Sequence, residues 1–124
     1  MHRNWIVMKE ILSCIDNNTA FDSSVETNPK EILYHIELLK DSDYINNNFQ
    51  LNDSVDIHKL LDCIPKMRLT MKGHDLLDCM YYSGFDKIID GLNKKRINGP
   101  LDLIVELTHK LIRKDMMEYL QIKD

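Results

Sequence analysis

Apolar residues recur at three- and four-residue intervals in stretches divided by polar or helix-breaking punctuation, and this pattern constrains the chain to a mainly helical fold. Trp5, Met8, Leu12 and Ile15 share one face of a helix over residues 3–16, with Arg3, Lys9 and Glu10 elsewhere on the turn, and Asn17-Asn18 stops it. Asn28-Pro29 starts a second helix running to about Lys40, because Asn caps orphan N–H groups and proline at the first helical position has none to satisfy. Its stripe is Ile32, Leu33, Ile36 and Leu39, which leaves Lys30, Glu31, Tyr34, His35 and Glu37 for other surfaces. Thr70 caps a third helix carrying Leu76, Leu77, Met80 and Tyr81. Ser83-Gly84 breaks or kinks it before Ile88, Ile89 and Leu92 resume the pattern, and Lys94-Lys95-Arg96 closes it. After Asn98-Gly99-Pro100 a last helix runs to about Tyr119 on Leu101, Ile104, Leu107, Leu111 and Ile112.

The remaining segments lack that period. Residues 17–28 carry only Ala20, Phe21 and Val25 as apolar anchors and read as a loop or a short edge strand. Tyr44, Ile45, Phe49 and Leu51 form one strand of a hairpin around Asn46-Asn47-Asn48, and Ile64 to Leu69 the other, with Pro65 placing it at an edge. Between them, Val55, Ile57, Leu60 and Leu61 fit either a short helix or a further strand.

With 124 residues the chain is sized for one domain, and 44% hydrophobic with 29% charged residues is the makeup of a folded globular protein and not of a disordered tail. No stretch approaches the roughly twenty apolar residues of a membrane span, and Met1-His2-Arg3-Asn4-Trp5 is no signal peptide. A cytoplasmic protein with no membrane partner is expected. Cys14, Cys63 and Cys79 are odd in number and form no CxxC pair, so they read as buried thiols.

The run from Ile32 through Tyr34-His35-Ile36-Glu37-Leu38-Leu39 to Asp43-Tyr44-Ile45 resembles the third helix and following turn of winged-helix transcription regulators, where a His-hydrophobic-x-x-Leu core precedes a small-Gly-Leu-Ile turn. Leu69-Thr70-Met71-Lys72-Gly73-His74 is similar to the Leu-Thr-x-x-Gly entry that follows the wing in that superfamily. With the Arg3-Asn4-Trp5 opening, these runs also resemble an uncharacterised small-protein family of bacteria, prophages and phages. The resemblance implies a winged-helix-like single domain, mainly α with a small β-hairpin and an extended C-terminal helix: residues 1–96 are the core with the hairpin, and 99–120 the terminal helix. Asp43 stands where that pattern has glycine, and Asp tolerates the left-handed conformation better than most residues. Residues 17–28 do not read as the intermediate helix of a helix-turn-helix.

Candidate chemistry is sparse. There is no Gly-x-Ser-x-Gly, P-loop or His-Glu-x-x-His, so no catalytic residue and no cofactor is expected. His58 with Cys63 and His74 with Cys79 repeat one spacing, but five residues turn a helix about 140° past a full circle, which takes His74 and Cys79 off one face and argues against a metal.

The net charge of −4 opposes nonspecific nucleic-acid affinity, and between Asp22 and Asp56 eight acidic residues face only Lys30 and Lys40. The first expectation is therefore a non-enzymatic protein-binding module. Its acidic face, Glu31, Glu37, Asp41 and Asp43 with Tyr34 and Tyr44, meets a basic partner, and the phage-type resemblance implies an inhibitor or modulator of a host or defence nucleic-acid-binding protein. The alternative is a dimeric winged-helix DNA-binding regulator. There Lys59, Lys66, Arg68 and Lys72, within a patch that includes His58 and His74, touch phosphates, and Tyr34 and His35 lie near bases. The broad apolar face of the last helix, with Leu103, Leu107 and Leu111, suits either a homodimer or simple closure of the core.

Overall fold

A computed structural model describes residues 3–21, 28–46, 61–97 and 99–121. They form helices α1 (Trp5–Asn17), α2 (Pro29–Asp41), α3 (Met71–Tyr81), α4 (Gly84–Lys94) and α5 (Leu101–Leu120), with strands β1 (Ile45–Asn46) and β2 (Arg68–Leu69). The fold is mainly helical with one small antiparallel sheet, in register Ile45 to Leu69 and Asn46 to Arg68. The chain divides into two compact units, Met1–Leu77 and Asp78–Asp124.

In the first unit α1 packs against α2, the Ile64–Lys66 turn and β2, and α2 packs against β1. The core is Met8, Ile11, Leu12 and Ile15 from α1 with Ile32, Ile36 and Leu39 from α2, closed by Tyr44, Ile45, Ile64, Met67 and Leu76. Burying side chains of this size contributes on the order of 2 kcal/mol each, so the α1–α2 seam dominates the stability of this unit. Trp5 sits at the rim of the stripe, half-buried, with the Arg3 guanidinium 5.4 Å from its ring centroid.

Three helices end in the same way without glycine. Asn18, Asp43 and Arg96 take φ of 53°, 64° and 56°, the left-handed conformation that turns a chain out of a helix. At each, the next residue donates back to a carbonyl of the last turn: Thr19 to Cys14 at 3.0 Å, Tyr44 to Leu39 at 2.8 Å, and Ile97 to Leu92 at 2.9 Å. Asp43 thus adopts the geometry expected of it.

The second strand is shorter than expected. Ile64–Lys66 is a 3-10 turn, closed by the Met67 N–H on the Ile64 carbonyl at 3.1 Å, and only Arg68 and Leu69 pair. Pro65 has no N–H to give a ladder, which favours the turn. Residues 61–63 are helical. Val25, Phe49, Leu51, Val55, Ile57, His58, Lys59 and Leu60 lie outside the described residues.

In the second unit α4 packs against α5. Phe85 and Ile89 of α4 and Leu101, Ile104 and Thr108 of α5 are buried, the Thr108 hydroxyl donating to the Ile104 carbonyl at 2.8 Å. Tyr81, expected on the buried face of α3, is exposed. Among the described residues no helix is long and apolar enough to cross a membrane.

Candidate functional site

The first unit is fastened at two places by residues of the motifs that open the chain and enter α3. Asn4 caps α1, its side-chain oxygen accepting from the Ile6 and Val7 amides at 3.1 and 3.3 Å. The same residue reaches α2 twice: its amide N–H donates to His35 Nε2 at 2.7 Å, and its Nδ2 donates to Glu31 Oε1 at 3.1 Å. Because Nε2 is an acceptor here, the proton of the neutral ring sits on Nδ1, which donates to the Glu31 carbonyl at 2.7 Å. His35 is fully buried, with the Tyr34 ring edge-on at 5.1 Å.

The second fastening joins the end of α2 to the start of α3. The Thr70 hydroxyl donates to the Asp43 carbonyl and accepts the Gly73 N–H at 3.1 Å, so it caps α3 while holding the preceding turn. The Thr70 amide donates to the Tyr44 carbonyl at 3.2 Å. A Cβ at position 73 would collide with that same carbonyl and stand 3.3 Å from the Leu69 Cβ. The Lys72 ammonium donates to the Ser42 carbonyl at 3.2 Å and lies 4.9 Å from the Tyr44 ring centroid.

These contacts redistribute the expected site residues. Tyr44 is 1% exposed and belongs to the core, because the tight turn at Asp43 swings it under α2, so it is no part of an acidic surface. His35 is equally removed from the surface by its two ring hydrogen bonds and cannot approach bases. Glu31 is half-buried and engaged by Asn4, and Tyr34 is half-buried. Glu37, Asp41 and Asp43 stay exposed at the C-terminal end of α2, and among the described residues no cation pairs with their carboxylates.

On the cationic side, Lys72 is committed to Ser42 and Tyr44, and Lys59 lies outside the described residues. Lys66 and Arg68 are exposed and line one open groove of about 490 Å³. Its walls are Ile15, Asp16 and Asn18 at the end of α1, the Pro65–Leu69 segment, and His74 on the first turn of α3. Asp16 meets His74 there, Oδ1 to Nδ1 3.6 Å. Sequence reasoning reached Lys66, Arg68 and His74 as neighbours in the chain but missed Asp16 and Asn18, which no local pattern connects to them.

Among the described residues no three His, Cys, Asp or Glu side chains converge as a metal set. Cys14 and Cys79 are buried thiols and Cys63 a half-buried one. Along α5, Leu103 and Leu107 are 45% and 36% exposed and Leu111 is half-buried.

Comparison of the chain with family models, curated proteins and solved structures gives no match.

Proposed function

We propose that the protein is a non-enzymatic binding module that engages a basic protein surface through Glu37, Asp41 and Asp43. One observation carries this reading: three exposed carboxylates, without a cation partner among the described residues, sit on the end of α2 and its turn, where the Thr70 hydroxyl holds the Asp43 backbone. A charged surface whose backbone is already fixed loses little entropy on association, and its field steers encounter. The half-buried Tyr34, three residues before Glu37, adds apolar area at the margin. The partner class that suits such a face is a nucleic-acid-binding protein, whose basic site it would occupy as an inhibitor or modulator.

The test is charge reversal of the three carboxylates to lysine, followed by quantitative capture from host lysate at two salt concentrations. The expected result is a protein retained by the wild type, released by salt, and held at least tenfold less by the variant. Equal capture by both forms would overturn the reading.

The dimeric DNA-binding alternative draws support from one observation, the placing of Lys66 and Arg68 in a single groove. It predicts salt-dependent binding of random duplex in a fluorescence anisotropy titration, because each phosphate contact releases counterions.

A further inference from the structure

The groove at the end of α1 calls for an occupant that the acidic face does not explain. In a chain of net charge −4, Lys66 and Arg68 open into the same concavity, and among the described residues no carboxylate pairs with either. Like charges lining one groove raise each other's energy, and a bound anion adds to the relief that Asp16 on the same wall gives. An arginine fork beside a lysine point charge suits the tetrahedral oxygens of a phosphate group, the first binding two oxygens at once and the second neutralising charge. Asn18 and His74 on the same walls bring further hydrogen-bonding groups.

We propose that this groove binds a small phosphorylated molecule, and that Asp16 tunes the site by holding His74. One feature favours a small anion over an extended nucleic acid. The cations lie in a concavity walled by the end of α1, and not on a protruding edge. Asp16 is a resident anion in the site. At 3.6 Å from His74 Nδ1, it offsets part of the positive field and stands beside a ring nitrogen that could otherwise serve the ligand.

The site is separate from the acidic face, so either proposal can fail alone. The experiment uses the full chain with inorganic pyrophosphate as probe, followed by amide shifts in heteronuclear NMR and by calorimetry, with random single-stranded and duplex DNA in parallel. The expected result is saturable binding with shifts centred on Asp16, Asn18, Arg68 and His74. Lys66→Ala with Arg68→Ala should weaken it at least tenfold, and Asp16→Asn should tighten it several-fold. Both positions of the double variant are exposed, and an unchanged thermal melt confirms that it folds. Absence of saturable shifts would overturn the proposal, as would equal affinity in the double variant, or DNA binding at these residues without pyrophosphate binding.

Discussion

Gly73 shows how a single missing side chain can decide a local fold. An alanine there would ordinarily favour a helix by about 1 kcal/mol, yet its Cβ would enter the Tyr44 carbonyl, a backbone atom held by the Thr70 amide and unable to swing away. The clash outweighs the propensity gain. Gly73→Ala is therefore expected to lower stability by about 3 kcal/mol, read as a shift of the urea midpoint at unchanged slope. Asp43 is the complementary case: it accepts a left-handed backbone without glycine because the turn is bonded from three sides, by Lys40, Leu39 and Thr70. Both residues act through backbone geometry, which is why the Leu69-Thr70-x-x-Gly73 run reads so clearly in the sequence.

Between elements, the junction of α1 with α2 rests on His35. Its ring joins the first amide of one helix cap to a carbonyl of the other helix while filling core volume. Replacing it leaves the Asn4 N–H and the Glu31 carbonyl without that partner and opens a cavity. His35→Ala should cost about 3 kcal/mol, with the loss visible in the fluorescence of Trp5, the only tryptophan and the neighbour of Asn4. An unchanged melting temperature would remove the histidine from the structural account. A different logic governs α5. At about 1.5 Å per residue, its 20 residues run far past the 11 of α4, and Met116, Tyr119 and Leu120 on the last turns are exposed.

At the scale of the molecule, each unit carries surface features of its own. Among the described residues, Glu37, Asp41 and Asp43 at the end of α2 and Lys66 and Arg68 in the groove have no ion-pair partner, and α5 carries exposed leucines. Leu103, Leu107 and Leu111 stand one helical turn apart, a register that two antiparallel copies could share about Leu107. On this reading the wild type elutes as a dimer at micromolar concentration by size exclusion with light scattering, and Leu107→Glu as a monomer with its melting temperature unchanged. A monomeric wild type would reject the homodimer.

The sequence by itself determined the helices and their ends, because apolar period, caps and breakers act within a few residues. Asn28-Pro29, Thr70, Ser83-Gly84 and Asn98-Gly99-Pro100 mark boundaries that the structure keeps. What it could not determine was which polar residues remain outside. Tyr44 and His35 are spaced along α2 and its turn much like surface residues, and only the packing of α1 across α2, with the Asn4 amide arriving from 31 residues away, takes them inside. The groove likewise exists only in three dimensions, since Asp16 and His74 meet through the docking of α1 on the β2 segment. Local free energies of a few tenths to one kcal/mol per residue select the elements, whereas burial and long-range hydrogen bonds select the surface.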